Sequence, residues 1–328
     1  MKTLVFSDLH LHNWNYGSSL INGMNSRLLD QRRVLSKIHE YLVDHPIDNV
    51  VFCGDLFHTH GKIDAAVLKT AYEGLLPIVS GWETTFLVGN HDTATKDMSI
   101  HSLHWLQSFK RVKIVHDEHH DSEKQLSFLS YTESKKILQN FFSRAEHLCF
   151  THQGIANVPM GSGFLINEIF DVGMIPSHVE HVFSGHYHNH ANPSPKATIV
   201  GSTLQLNWSD SGDSKGFLVV DTNTCKFERV IVKSPEFILY DCNQDHPVSV
   251  ENNFVRVTNY EGVDTENLRG VMTALGARSV EFAPITKEAP PLTALKSTSL
   301  DLPQLVSEYE KERNVTEERS LIGKDLMK

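Results

Sequence analysis

Residues 3–10, TLVFSDLH, set the grammar of the chain: a short apolar run passes without a linker into Asp8 and His10. β-Branched and aromatic residues fit a buried, pleated strand, whereas carboxylates and imidazoles do not belong in its interior unpaired. The same grammar returns at 50–58 (VVFCGDLFH), 86–92 (FLVGNHD), 149–154 (CFTHQG) and 182–191 (VFSGHYHNHA). Ligands of open α/β sheets bind beyond the carboxyl ends of the strands, so these five polar outbursts are expected to converge on one rim. In the last of them His186, His188 and His190 stand at every second position. Extended backbone would send all three to one face.

The segments between these stretches complete the pattern. Strands are expected at 3–6, 49–53, 85–88, 113–115, 126–130, 147–151, 181–184, 197–200 and 216–221. SRLLDQRRVLSKIHEYLVDHP reads as a helix with Leu28, Leu35, Ile38 and Leu42 inward and Pro46 just past its end. KIDAAVLKTAYEGLLPIVSG reads as a second, with Val67, Leu68, Ala71 and Leu75 inward. Strand–helix–strand units of this kind imply a largely parallel sheet flanked by helices. HDEHHDSEK at 116–124 reads as an exposed hairpin loop.

Beyond about residue 232 the texture changes. NNFVRVTNY, DTENLRGVMTALG and ARSVEFAPI form a small strand–helix–strand unit, KEAPPLTALKSTS a linker, and LDLPQLVSEYEKERNVTEERSLIGKDLMK a charged, helix-prone tail. The expected parts are 1–232, 233–296 and 297–328, the last a C-terminal helix whose Leu302, Leu305, Val306 and Tyr309 make an apolar stripe.

Composition limits the possible functions. With 328 residues, 40% of them apolar, the chain can bury a large core, and no apolar run approaches the length of a membrane span. The apolar part of MKTLVFSDLH is only Leu4 to Phe6, which suits a buried strand rather than a leader. Cys53, Cys149, Cys225 and Cys242 lack CxxC spacing, so a cytoplasmic, disulfide-free protein is expected. A net charge of -10 argues against a protein that coats nucleic acid. It does not exclude a metal-dependent phosphoesterase, because divalent ions bring positive charge to where a phosphate would sit.

Twenty histidines are a heavy load, and the strand-end groups are Asp, Asn and His with no thiolate. That donor mixture suits manganese, iron or zinc held by oxygen and imidazole. Each piece alone is ordinary: an Asp-x-His at a strand end is usually a turn or cap, and a TH pair usually a core histidine. Five such pieces, each at a strand end, are what carry the chemistry.

Taken together, DLH at 8–10, GDLFH at 54–58, GNHD at 89–92, TH at 151–152 and GHYH at 185–188 resemble the calcineurin-like metallophosphoesterases. The resemblance implies two packed mixed β-sheets flanked by helices. It also implies that Asp8, His10 and His188 hold one metal ion, that Asn90, His152 and His186 hold a second, and that Asp55 bridges them. His91 would be catalytic; with the six other ligands filling two coordination spheres, His190 would stand at the rim or behind the ligands, and the same two places are open to His12. Paired ions of this kind generate a nucleophile and clamp an in-line displacement.

Within the family, His58 in GDLFH and the run from SGHYHNH to SKGFLVVDT resemble the SbcD-type DNA-repair and recombination nucleases, most of all the recombination endonuclease subunit of tailed phages. That resemblance implies a second catalytic histidine, His58, and a manganese-dependent nuclease: a 3′-to-5′ exonuclease on duplex DNA and an endonuclease on single strands. It also implies that 233–296 is a small α+β capping domain and 297–328 a helix that docks an SMC-like coiled-coil ATPase partner of the SbcC type, with a homodimer within a heterotetramer and residence in the host cytoplasm. No GxxxxGK[ST] stretch occurs, so ATP dependence would have to come from the partner. A free-standing phosphatase or nucleotide phosphodiesterase is the alternative. A catalytically silent DNA clamp is a third reading, against which the intact ligand set speaks.

Overall fold

All nine apolar runs form strands in the computed structural model, which describes residues 1–95, 98–158, 168–244 and 249–284. The first strands are β1 (Lys2–Phe6), β2 (Leu20–Ile21), β3 (Met24–Asn25), β4 (Asn49–Phe52), β5 (Glu83–Leu87) and β6 (Val112–Val115). Then come β7 (Glu118–Asp121), β8 (Leu126–Leu129), β9 (Leu148–Thr151), β10 (His181–Ser184), β11 (Ala191–Ser194) and β12 (Ala197–Ile199). The last are β13 (Gly216–Asp221), β14 (Phe227–Ile231), β15 (Phe237–Asp241), β16 (Phe254–Thr258) and β17 (Ser279–Phe282). The helices are α1 (Ser26–Asp44), α2 (Ala65–Gly81), α3 (Lys135–Arg144) and α4 (Thr265–Ala274).

Two six-stranded mixed sheets, ordered β14-β13-β1-β4-β5-β6 and β11-β12-β10-β9-β8-β7, carry the fold. β1, β4, β5 and β6 run parallel, as do β8, β9, β10 and β12. The antiparallel strands lie toward the edges. The inner faces share one core, with Val5, Val51, Leu87 and Leu218 against Phe128, Phe150 and Phe183. α1 and α2 cover the outer face of the first sheet through Leu28, Leu35, Ile38, Val67, Ala71 and Leu75, which pack with Phe6, Phe52 and Phe86. α3 covers the second through Leu138, Phe141 and Phe142.

Three local readings are corrected. Leu68 is 40% exposed: the buried stripe of α2 is Val67, Ala71, Leu75 and Ile78, and Leu68 sits about 100° round the helix from Val67. The 116–124 segment contains an edge strand, β7, paired antiparallel with β8, rather than only a loop. α3, capped by Ser134, was not expected.

After β14 the chain starts a separate parallel sheet, β15-β16-β17, with α4 crossing between β16 and β17 and its Met272 packed with Val255, Val257 and Val280. It belongs to the same compact unit, residues 1–283. It meets the body through the Arg278 ion pair with Asp30 and through Tyr16, whose hydroxyl donates to Glu281 Oε2 at 2.7 Å. The linker and the tail at 297–328 lie outside the described residues.

Buried histidines make this core sensitive to acid. His181 is 7% exposed, with Nε2 2.9 Å from Thr198 Oγ1, and burial lowers its pKa to about 4. A group depressed below its unfolded value of about 6.5 contributes stability that is full above that pH and lost as pH falls toward 4. The urea midpoint of the metal-free protein is therefore expected to depend less on pH between about 7 and 5 in His181→Asn than in the parent. The difference in this slope is at most about 2 kcal/mol over that interval.

Candidate metal centre

All seven expected ligands lie just past the carboxyl ends of parallel strands. Asp8 and His10 follow β1, Asp55 follows β4 and Asn90 follows β5; His152 follows β9, and His186 and His188 follow β10. The first four come from one sheet and the last three from the other, so the site forms where the two rims meet. Its backbone is unusual: Asp8 (φ 52°), His10 (φ 44°), Asp55 (φ 63°) and His186 (φ 85°) are all left-handed non-glycine residues. Each such conformation costs on the order of 1–3 kcal/mol and persists only where the surroundings over-determine it.

Those surroundings are visible. Asp8 N–H donates to the Gly54 carbonyl at 3.0 Å and His10 N–H to that of Asp55 at 3.1 Å. Asp92, fully buried, accepts from the N–H groups of Asp55 (2.9 Å), Leu56 (3.0 Å), Phe57 (3.3 Å) and Gly89 (3.0 Å), tying the β4 and β5 loops together. A Cβ at Gly89 would run into Asp55 Oδ1, so this close approach needs glycine. The simple alternation of His186, His188 and His190 is not what builds the site. Strand geometry ends at Ser184, and left-handed His186 swings the first two rings in; His190 joins none of the donor clusters among the described residues.

The donors fall into two groups that share a neighbour. Asp8, His10 and His188 form one cluster, and Asp55, His152 and His186 another, each with its atoms within 4.8 Å of one another. Asp55 Oδ2 is 3.5 Å from His10 Nε2 and 3.4 Å from His152 Nε2, so it stands between the groups. Asn90 Oδ1 completes the second, 3.2 Å from His152 Nε2 and 3.0 Å from His186 Nδ1.

This arrangement fits cations. His10 Nε2 and His188 Nε2 face each other at 3.2 Å, and Asp8 Oδ1 is buried without a hydrogen-bond partner. On His152, His188 and His186 the other ring nitrogen turns outward to an oxygen, as in metal-ligating histidines, whereas His10 Nδ1 is buried with no hydrogen-bond partner among the described residues. His152 Nδ1 meets the Cys53 carbonyl, His188 Nδ1 lies 3.6 Å from Asp210 Oδ1, and His186 Nε2 lies 3.9 Å from Glu168 Oε1. Asp210 is itself held by Lys215 at 3.3 Å, a lysine only 3% exposed, and Glu168 accepts from the Tyr187 hydroxyl at 2.9 Å.

The charges agree. Burial, reinforced by Asp55, raises Asp8 to about 6. Burial opposes ionisation of Asp55 as well, yet His152 and His10 hold its carboxyl well below the usual range. Burial opposes a charge on His152, but Asp55 and Asp8 outweigh it and raise the imidazole to about 9. Without metal, a proton on His152 supplies the positive charge that the carboxylates demand. Metal binding near pH 7 is therefore expected to release a proton, and affinity to fall about tenfold per pH unit per displaced proton below about 9. Calorimetric titration in buffers of different ionisation enthalpy checks both.

His58 and His91 sit beside these clusters. His91 N–H donates to Asp55 Oδ1 at 2.9 Å, and its Nδ1 lies 2.7 Å from the His58 carbonyl. Donor atoms of His10, His58 and His91 also converge within 4.8 Å. His12 lies behind, its ring 5.1 Å from that of His58. Sequence reasoning missed Asp92, Glu168, Asp210, Lys215 and His60, which stacks on His91 at 4.8 Å. Asp92 and Lys215 were in view as the last residue of GNHD and the first of KGF.

The family model for calcineurin-like phosphoesterases matches residues 1–190, more than half of the chain. This protein belongs to the calcineurin-like phosphoesterases. They bind two divalent metal ions, and the two donor clusters are the candidate places for them here. This phosphoesterase is 25% identical over 215 residues to 078R, a candidate phosphoesterase of Invertebrate iridescent virus 3, covering 62% of this chain and 61% of that one. It is 23% identical over 201 residues to 244L, named likewise, of Invertebrate iridescent virus 6, covering 56% of this chain and 68% of that one. The chain thus spans less than two thirds of 078R. Among solved structures, an archaeal phosphodiesterase aligns at 13% identity and TM-score 0.39 over 71% of this chain and all of that one. Purple acid phosphatase PPD1 from yellow lupin seeds aligns at 13% and 0.40, over 70% of this chain and 52% of that one. Among the described residues no helix is long and apolar enough to cross a membrane, and all four cysteines are free.

Proposed function

We propose that this phosphoesterase is a two-metal DNA nuclease in which Asp8, His10 and His188 hold one ion, Asn90, His152 and His186 the other, and Asp55 both. The observation that carries the two-metal reading is Asp55 Oδ2, set between His10 Nε2 and His152 Nε2 at 3.5 and 3.4 Å. The oxygen and imidazole donors favour manganese. When bound, such a pair of ions polarises the phosphate and lowers the pKa of water enough to make a nucleophile near neutral pH. The chain's own residues do the rest. Asp55 takes the His91 N–H on Oδ1, which fixes His91 relative to the ligands. A carbonyl only accepts, so His91 Nδ1 carries a hydrogen toward the His58 oxygen, and Nε2 is left for the substrate. There the ring, when protonated on both nitrogens, gives its Nε2 proton to the leaving oxygen and is left as the neutral Nδ1–H tautomer.

DNA as substrate is supported by the likeness of GDLFH and of the 184–222 run to recombination nucleases, and by His58 beside His91. On this reading the enzyme trims duplex ends 3′ to 5′ and nicks single strands in the cytoplasm. It does so as a homodimer with an SMC-like ATPase that the apolar stripe of the tail docks. The family match supports equally a free-standing phosphatase or nucleotide phosphodiesterase. The two readings part on substrate. Labelled duplex and single-stranded DNA, bis(p-nitrophenyl) phosphate and p-nitrophenyl phosphate, compared with manganese and with chelator, decide between them. Metal-dependent cutting of DNA and of the diester is expected; hydrolysis of the monoester alone would favour the phosphatase, and DNA binding without hydrolysis the clamp. Deleting residues 297–328 is expected to spare single-strand cutting and to abolish co-purification with the ATPase.

A further inference from the structure

His58 is held differently from His91. A hydrogen bond orients the His91 ring, whereas His58 Nδ1 is buried without a hydrogen-bond partner among the described residues. Packing alone therefore sets the angle of the His58 imidazole. Of the rings around it Trp14 is nearest, with centroids 4.4 Å apart and planes tilted 42°, against 5.1 Å for His12, 5.4 Å for His91 and 5.5 Å for His10. Trp14 in turn is pinned on its backbone. Its N–H donates to the His12 carbonyl at 3.0 Å, and its carbonyl accepts at 2.8 Å from Asn25, the residue that also caps α1. Its indole nitrogen makes no hydrogen bond among the described residues, so this ring too is placed by packing. The Arg27 guanidinium lies 5.2 Å from the Trp14 ring centroid. Arg27 is 5% exposed, donates to the carbonyls of Leu206 at 2.5 Å and Tyr16 at 3.3 Å, and lies 5.2 and 5.3 Å from the rings of Phe237 and Phe254 in the small sheet. A charged group so wedged is a rigid backstop.

We propose that Trp14 is the positioning residue for His58: its indole face, braced by Arg27, holds the imidazole at the metal centre. The proposal rests on the reading of His58 as catalytic. A ring that only sets another ring's orientation should affect the chemical step rather than substrate binding, and only while that second ring is present.

The test is steady-state hydrolysis of bis(p-nitrophenyl) phosphate by the full, manganese-loaded chain carrying Trp14→Ala, Trp14→Phe, His58→Ala or Trp14→Ala with His58→Ala. Trp14→Ala is expected to lower kcat about 10-fold or more with KM within about 2-fold and metal content unchanged, and Trp14→Phe to restore most of it. The double variant is expected to be no slower than His58→Ala alone, because residues acting through one another are non-additive. Should Trp14→Ala not fold, Trp14→Leu against Trp14→Phe makes the same comparison of a side chain without a ring and one with it. A full further loss in the His58→Ala background, a KM-only effect, or loss of metal would overturn the proposal. A parental rate in His58→Ala would overturn the catalytic assignment of His58 itself, and the positioning role with it.

Discussion

Asp55→Asn is expected to leave no hydrolysis above the metal-free background and to strip the protein of at least one of its ions. Both losses follow from one atom. Asp55 Oδ2 stands between the two groups, within reach of His10 and of His152, and the residue is 1% exposed, so water cannot replace it. Asparagine keeps the shape but removes the charge that offsets two cations. It also has only one accepting oxygen, whereas Asp55 uses Oδ1 for the His91 N–H and Oδ2 for the ligand groups. An amide nitrogen placed on either side opposes a donor or a cation. Metal analysis of the dialysed variant, beside its rate on a diester substrate, checks both halves. A variant that keeps both ions and the parental rate would remove Asp55 from the bridging role.

The second large effect separates ligand from catalyst. His91→Ala is expected to lower kcat by about 10²–10⁴, the usual range for a positioned proton donor, with metal content unchanged. His91 sits outside both ligand groups but against them, its ring 4.7 Å from that of His10. Because donor atoms of His10, His58 and His91 also approach within 4.8 Å of one another, the opposite outcome is well defined. Loss of a bound ion in His91→Ala would place the metal among those three histidines instead.

How much of this was legible in the sequence follows from how local each signal is. The gathering of the candidate ligands was, because every one stands within four residues of the end of an apolar run, and an apolar run with a polar end is a property of neighbouring residues. The helical stripes of α1 were legible for the same reason, while in α2 two adjacent apolar residues, Val67 and Leu68, competed for one inward position. Partners distant along the chain were not. Asp210 serves His188, Glu168 serves His186 and the Cys53 carbonyl serves His152, and no spacing rule connects those pairs. Nor does composition announce that Asp8, His10, Asp55 and His186 take left-handed backbone, which is imposed by long-range bonds such as those to Asp92. Alternation alone does not separate His186 and His188 from His190, because period-two reasoning holds only inside a strand, and β10 ends at Ser184.

The central claim, a two-metal centre bridged by Asp55, is tested most directly by anomalous scattering from crystals of the full chain soaked in manganese. Two peaks are expected about 3.5–4 Å apart. One should be surrounded by Asp8, His10 and His188, the other by Asn90, His152 and His186, with Asp55 touching both. A single peak, peaks more than about 5 Å apart, or a pair that Asp55 does not join would contradict the account.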